Sequence, residues 1–315
     1  MSSLLEITKQ IERASARVQS LERALVDYPG LPSIAANLES VIRVQRQLEA
    51  EFEAVAAQLG VVVCRYRAFN DTETTRTAPA FGAIADFQRL VSVVYGALKH
   101  GIKQRATIPE EVARETLFGF GFAFTGSLGV VLTIRNQTDL FGDSFLNESI
   151  DVIFQMAKAS STEEILQFAD RLGPGPINAL HKWAEDNADN GLGADVEWRQ
   201  GKTVRNSLFV QRQELWKLTR AIKRSSSKTT RELTLFGRLQ AADASKLRFK
   251  FKEEGLREIR GTVEPGVIDE KHTVGLPSKY MAHVLKTEQT IYATGQVKVK
   301  YHLLRLQKPN RDEIA

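Results

Sequence analysis

An uncharged run of nineteen residues, TLFGFGFAFTGSLGVVLTI from Thr116 to Ile134, constrains the fold of this chain more than any other stretch. Such a run can be a membrane span, a phosphate-binding loop, a nucleophile elbow or a buried β-hairpin. Its first half alternates phenylalanine with small residues, and a period of two is typical of a strand. Gly126 and Ser127 suit a two-residue turn, after which LGVVLTI returns as a second strand. The pattern therefore predicts a hairpin that is apolar on both faces and covered on both sides.

The other three interpretations fit the run less well. A membrane helix needs about twenty apolar residues, whereas four glycines, a serine and three threonines make this run weakly hydrophobic. A phosphate loop requires lysine after Gly126, where Ser127 stands, and a helix should follow. A nucleophile elbow requires glycine at Thr125. We therefore expect no membrane span and no catalytic Ser127, and the predicted turn would place Gly121 opposite Leu132.

The first sixty residues carry two apolar seams that are typical of coiled coils. Apolar residues recur at alternating steps of three and four from Leu4 to Tyr28, and again from Ile34 to Leu59. The sequence YPGLPS between them breaks the helix. Residues 1–60 are therefore predicted to form an antiparallel helical hairpin. Two uses of its seam stay open: packing on the body of the same chain, or contact with a protein partner or a second copy.

Residues 61–225 alternate strand-like and helix-like segments. VVVCRYR and ADVEWRQG read as strands, with amphipathic helices between them, and residues 202–225 read as one basic helix. This order predicts a central α/β or α+β domain with a small sheet. Ser161 and Glu164 have the spacing of a capping box. Cys64 is the only cysteine, which excludes an intramolecular disulfide and any CxxC site.

Residues 226–315 change to a period of two. We interpret SSSKTT (225–230) as a flexible linker, and RELTLFGRLQA and KLRFKFK as strands. GLPSKYMAHVLK (275–286) reads as a short helix. The segment is therefore predicted to be a small β-barrel of the OB or SH3 type. The whole chain is predicted to be an α+β protein of three parts, 1–60, 61–225 and 226–315.

Positive charge is concentrated in the C-terminal third. The net charge of +5 combines about −2 over residues 1–60, about −5 over 61–200, about +10 over 201–260 and about +2 over 261–315. Such asymmetry is expected where one part of a protein meets a nucleic acid or an acidic protein partner, although a solvated basic face is the alternative. Two groups of cations are candidates for this contact. They are Lys246, Arg248, Lys250 and Lys252 with Lys298 and Lys300 on the barrel, and Lys217, Arg220, Lys223 and Arg224 in the helix before it.

The barrel cations alternate with Phe249 and Phe251, which point to the opposite face and are expected in the core. Rows of this kind can follow a phosphate backbone. The five histidines are scattered, without HExxH or a cysteine grouping, so we expect no metal, no cofactor and no catalytic residue. Two alternatives to a non-enzymatic binding protein remain: a hydrolase or nuclease with a dispersed site of Asp and Glu in the central domain, and a purely structural oligomer.

The composition, with 43% apolar and 26% charged residues, is that of an ordinary globular protein. The first residues include early acidic side chains and no unbroken apolar stretch, so a secretory signal is not expected and a cytoplasmic location is.

The order of parts resembles that of uncharacterised bacterial proteins from mobile and defence-associated loci. The resemblance covers a helical hairpin, a middle domain with FTGSLGVVLTI, and a barrel beginning LTLFGRLQAADASKLRFKF. It rests on no diagnostic motif and carries over no functional residue. It implies a bacterial factor that acts within a complex, as an adaptor or sensor in antiphage defence.

Overall fold

The computed structural model describes residues 3–70, 79–124, 128–135, 144–255, 258–268 and 276–308. Over these residues the chain has eight helices, one open sheet and one closed barrel, so the predicted α+β class is confirmed. The chain divides into two compact units, Met1–Ser225 and Ser226–Ala315.

The first unit begins with the helical hairpin, made of α1 (Leu4–Asp27) and α2 (Pro32–Gln58). Ser3 caps α1: its hydroxyl accepts from the Glu6 N–H at 3.2 Å, and the Glu6 carboxylate accepts from the Ser3 N–H at 3.0 Å. This reciprocal capping satisfies two of the amides that a helix start leaves unpaired.

One end of the hairpin packs on the body of its own chain. Ile7 and Phe52 lie in a buried cluster with Val63, Phe122 and Val131, which come from the open sheet. This part of the seam is therefore used within the chain, which is one of the two predicted uses. At the far end of the hairpin, by contrast, Val26 and Tyr28 are 80% and 60% exposed.

The open sheet has five strands in the order β2-β3-β1-β4-β5, and neighbouring strands are antiparallel. The strands are β1 (Val61–Phe69), β2 (Gly119–Phe124), β3 (Leu128–Arg135), β4 (Gly193–Gln200) and β5 (Thr203–Val210). The remaining helices of this unit are α3 (Pro79–His100), α4 (Glu110–Thr116), α5 (Phe145–Ala157), α6 (Thr162–Leu172), α7 (Pro174–Asp189) and α8 (Arg212–Arg224).

Two tryptophans lie in the core between the sheet and its helices. Trp183 and Trp198 are fully buried. Each indole N–H has an acceptor, since Trp183 donates to the Tyr66 hydroxyl at 3.1 Å and Trp198 to Asn147 Oδ1 at 3.0 Å. Because each indole N–H keeps a hydrogen bond, the cost of desolvating it is offset and the large rings can be buried.

The uncharged run forms strands β2 and β3, as its period predicts. The pairs nearest the turn, from Phe124–Gly129 to Phe122–Val131, have the register of a two-residue turn, but the expected Gly121–Leu132 pair is wrong. Phe120, not Gly121, pairs with Leu132, and the register shifts between Phe120 and Phe122. The extra residue in β2, between Phe120 and Phe122, is a β-bulge. It displaces by one residue every pair that lies farther from the turn. The turn itself, with Gly126 and Ser127, lies outside the described residues. In the described part of the chain, no helix is long and apolar enough to cross a membrane.

Two predictions for residues 202–230 are wrong. In place of the expected single helix, the structure has strand β5 followed by helix α8. Gly201, with a φ of +58°, lies in the turn that reverses the chain between β4 and β5. The left-handed conformation at Gly201 favours glycine. The expected flexible linker is the beginning of a strand that starts at Ser226.

The second unit is a closed barrel in the order β10-β8-β7-β6-β9, in which β9 also pairs with β10. Its strands are β6 (Ser226–Asp243), β7 (Arg248–Glu253), β8 (Glu258–Val263), β9 (Ser278–Ile291) and β10 (Gln296–Gln307). The pair β8–β10 is parallel and the others are antiparallel. The third strand thus pairs with the fifth and the fourth with the first, which is the connectivity of an OB barrel.

The helix expected over 275–286 is wrong, since β9 begins at Ser278. Tyr280, Ala282 and Val284 alternate into the barrel core, and long pairings with β6 and β10 outweigh the local helical pattern. Closure of the barrel depends on Gly261 in β8. A Cβ atom at this position would lie 2.1 Å from the Tyr301 carbonyl oxygen, so only glycine allows this approach.

Candidate nucleic-acid interface

Strand β7 carries one row of cations on the outside of the barrel. Arg248 and Lys252 are exposed and Lys250 is half-buried, while Phe249 and Phe251 are 4% and 0% exposed and face the core. The aromatic rings are therefore not available for base stacking on this face. Any contact from β7 would come from the cationic side chains.

Lys246 does not belong to the row on β7, contrary to our prediction. It lies in the turn after β6, and Leu247 has a φ of +49°, which interrupts the alternation before β7 begins. The Lys246 ammonium lies 4.0 Å from Asp243 Oδ2. This cation is thus paired with the turn and does not line up with Arg248.

Strand β10 carries the second row, in which Lys298 and Lys300 are exposed. Strand β8 lies between β7 and β10, and Thr262 pairs with Arg248 on one side and with His302 on the other. The two rows, which are fifty residues apart in sequence, therefore share one outer face. We call this surface the basic face.

Two further cations complete the basic face. Arg260 of β8 lies opposite Lys250. Lys228 of β6 lies opposite Gln289 of β9, which in turn lies opposite Lys298. The alternation of Ile259, Gly261 and Val263 in LREIRGTV is a signal that Arg260 points outward. The residues next to Arg260 on the adjacent strands follow only from the order of strands in the barrel, which the sequence does not reveal.

The basic face contains two adjoining concavities that share Thr262. The first has a volume of about 420 Å³ and is lined by residues of β6, β8, β9 and β10, among them Lys228, Lys298 and Lys300. The second has a volume of about 660 Å³ and lies over β6, β7 and β8, with Arg248 and Arg260 in its lining. A ligand that crosses β8 would contact both rows.

Carboxylates neutralise part of the basic face. Glu258 lies 3.0 Å from the Lys250 ammonium and 2.7 Å from Arg260 Nη2. Hydrogen bonds from Lys250 and then Arg260 hold the pKa of the Glu258 carboxyl below its usual range. Other cations of the face form no ion pair with any residue that the structure describes. These are Lys228, Arg248, Lys252, Lys298 and Lys300.

His302 lies at the centre of the face and is held from both sides. Its Nδ1 lies 2.8 Å from Thr262 Oγ1, and its Nε2 lies 2.6 Å from Glu264 Oε2. These two hydrogen bonds fix the plane of the ring and connect the end of β8 to β10. His302 therefore positions the seam between the two rows.

The second predicted group of cations lies in α8, in the first unit. Lys217, Arg220, Lys223 and Arg224 are all exposed. Lys223 forms an ion pair with Glu185 Oε1 at 2.7 Å. The structure does not place these side chains in the barrel sheet.

A pair of carboxylates in the first unit is not predicted by any local pattern in the sequence. Asp86 of α3 and Asp186 of α7 are hydrogen-bonded to each other, and the Lys182 ammonium contacts both, at 3.7 Å from Asp86 Oδ2. Burial, and then the hydrogen bond with Asp186, raises the pKa of Asp86 to about 6. No sequence motif connects two helices that are a hundred residues apart. Within the described ranges, no group of three or more His, Cys, Asp or Glu could hold a metal ion.

Comparison of the chain with protein-family models, curated proteins and solved structures finds no match.

Proposed function

We propose that the basic face of the barrel binds a nucleic-acid strand through its phosphates, and that the protein is a non-enzymatic binding component. The single observation that carries this proposal is the position of β8. It brings Arg248 and Lys300 onto one face, where neither side chain has a carboxylate partner among the described residues.

The spacing of the cations suits a ligand with repeated negative charge. Residues two apart on a strand are separated by about 6.7 Å, and neighbouring strands by about 4.8 Å. Lys298 and Lys300 are therefore about 6.7 Å apart along β10, and Lys228 lies two strands away from Lys298. Such a grid supports contact with several phosphates rather than with one isolated carboxylate.

Burial of Phe249 and Phe251 supports backbone contact rather than base stacking. Contacts to phosphate position a strand without reading its sequence. We therefore expect binding that depends weakly on sequence and steeply on salt, because each neutralised phosphate releases counterions.

The first unit is proposed to connect this binding module to a complex. The exposed Val26 and Tyr28 at the far end of the helical hairpin support contact with a protein partner. The resemblance to proteins of defence-associated loci supports an adaptor or sensor role in a bacterial cytoplasm.

The proposal is tested by the binding of the full chain to labelled single- and double-stranded DNA and RNA. The test variant is Arg248→Glu/Lys298→Glu/Lys300→Glu. A matched control, Lys217→Glu/Arg220→Glu/Arg224→Glu, makes the same change of charge on α8. We expect micromolar or tighter binding that the barrel variant loses by at least about a hundredfold, since charge-assisted hydrogen bonds contribute about 1.5–3 kcal/mol each.

The control separates a specific face from general attraction. If both variants lose binding equally, the net charge of the chain and not the basic face attracts the nucleic acid. If no nucleic acid binds at low salt, the basic face is solvated or meets an acidic protein, and the proposal is wrong.

A further inference from the structure

The positive charge of the basic face is not evenly neutralised. Over β7 and β8, Glu258 pairs with Lys250 and Arg260. The described residues that line the concavity over β9 and β10, in contrast, include Lys228, Lys298 and Lys300 and no carboxylate, and the neighbouring Glu264 carboxylate is hydrogen-bonded to His302. We call this concavity the lysine pocket.

The three lysines surround a common floor. Lys228, Gln289 and Lys298 form one row across three strands, and Thr230, Thr287 and Lys300 form the next row. Because Lys228 and Lys298 are two strand spacings apart, their Cα atoms are separated by about 9.6 Å. Lysine side chains are long enough to converge over the floor between them.

The floor of the lysine pocket offers further polar contacts. The Thr287 hydroxyl lies 3.3 Å from the Thr230 hydroxyl, and the Gln289 amide donates to Ser226 Oγ at 3.1 Å. These hydrogen bonds hold the floor in place on β6 and β9. At about 420 Å³, the concavity has the size of a small-molecule site, which accommodates one terminal nucleotide with its phosphate but not an extended strand.

We propose that the lysine pocket binds the terminal phosphate monoester of a nucleic-acid strand whose backbone lies on the rest of the basic face. This inference rests on the proposed function and names the part of the ligand that is recognised. A monoester carries a charge of about −1.5 to −2 at pH 7, and a phosphodiester only about −1. Three lysines that line one concavity, with no carboxylate among its described lining residues, therefore favour the end of a strand over its interior.

The test uses the full chain and one oligonucleotide sequence with a 5′-phosphate, with a 3′-phosphate or with neither. We expect one phosphorylated form to bind at least about tenfold tighter than the unphosphorylated one, as one charge-assisted hydrogen bond would provide. Lys228→Gln/Lys298→Gln/Lys300→Gln should remove this preference. The control Lys217→Gln/Arg220→Gln/Arg224→Gln, with the same loss of charge, should keep it.

The outcomes separate the two proposals. If all three oligonucleotides bind the unaltered protein equally, the terminal-phosphate site is wrong and the proposed function stands. If none binds, both are wrong. A mononucleotide is the last probe. If it binds with higher affinity than the phosphorylated strand, and displaces that strand more effectively than an unphosphorylated oligonucleotide does, the pocket binds a free nucleotide. The assignment to strand ends would then be wrong. The double variant Lys298→Gln/Lys300→Gln replaces the triple variant if circular dichroism shows that the latter is unfolded.

Discussion

Two arginines of the first unit and two lysines of the barrel use their charge in opposite ways. In the first unit, Arg65 lies 3.0 Å from Glu49 and 3.6 Å from Glu53, and Arg199 lies 3.1 Å from Glu53 and 2.8 Å from Glu197. These arginines join helix α2 to strands β1 and β4. In the barrel, Lys298 and Lys300 have no carboxylate partner among the described residues.

This difference separates cations that stabilise a fold from cations that remain available to a ligand. The Glu53 side chain is only 10% exposed. Removing the partner of a charge buried to this extent leaves that charge uncompensated, which lowers the stability of the fold. Exposed lysines without partners contribute little to stability and can be kept for binding. Substitutions in the first unit should therefore change unfolding, and those on the basic face should change binding.

The largest effect on stability is expected from Gly261→Ala, which disrupts the pairing of β8 with β10 and with it the face that carries the two rows of cations. The new methyl group would meet the Tyr301 carbonyl oxygen, so β8 and β10 must separate. We expect the barrel to lose about 3 kcal/mol or more in its free energy of unfolding, measured by chemical denaturation. Gly255→Ala is the control, because no described atom outside its own chain neighbours lies within 4 Å of the Cβ it adds. Equal stability of the two variants would show that β8 and β10 do not meet as described.

Glu53→Gln should have the next largest effect, because it leaves Arg65 and Arg199 with one carboxylate fewer each. We expect a loss of about 2–3 kcal/mol in the free energy of unfolding, less than for a fully buried pair because Arg65 is partly exposed. Glu51→Gln, at an exposed position of the same helix, should change it by less than about 0.5 kcal/mol. If Glu53→Gln leaves the free energy of unfolding unchanged, the paired cations of this unit do not stabilise the packing of the hairpin on the sheet.

The Asp86–Asp186 pair gives the stability of the first unit a pH dependence. Because the pKa of Asp86 is raised from 3.8 to about 6, the folded protein keeps a proton that the unfolded chain releases between these values. The stability contributed by this group therefore falls as the pH rises from about 4 to about 6. Asp86→Asn should become more stable than the unaltered protein over this window, by about 1 kcal/mol once solvent screening is allowed for. Thermal unfolding at pH 4 and at pH 7.5 measures this, and an advantage that shrinks as the pH rises would contradict it.

The smallest effect on stability is expected from Lys298→Gln/Lys300→Gln. Both side chains are exposed and have no ion pair in the described part of the barrel, so the free energy of unfolding should change by less than about 0.5 kcal/mol. Calorimetry on the free protein measures this change. A clear loss of stability would show that these lysines are structural and would remove the contrast between the units.

Local patterns in the sequence predict much of this fold. The heptad steps predict the helical hairpin, the spacing of Ser161 and Glu164 predicts a capping box that is present, and the alternation around Phe249 and Phe251 predicts their burial. Each of these features depends on residues that are close in sequence, where period and capping chemistry decide the structure.

The errors arise where distant pairing decides. Residues 275–286 predict a helix because the partners of β9, the strands β6 and β10, cannot be recognised from these residues alone. The same reason hides the basic face, since Arg248 and His302 lie on one face only because β8 pairs with both of their strands. The cations themselves could be identified from the sequence, but not their arrangement as one surface.

The central claim is that the rows on β7 and β10 bind nucleic acid as one face. The most direct test is the salt dependence of single-stranded nucleic-acid binding for Arg248→Gln/Lys252→Gln, for Lys298→Gln/Lys300→Gln and for the unaltered protein. The slope of log affinity against log salt should be shallower by about 1.4 in each double variant, since each phosphate contact contributes about 0.7 for a single strand. An unchanged slope in either variant would show that its row does not contact the strand, and the claim of one continuous face would be wrong.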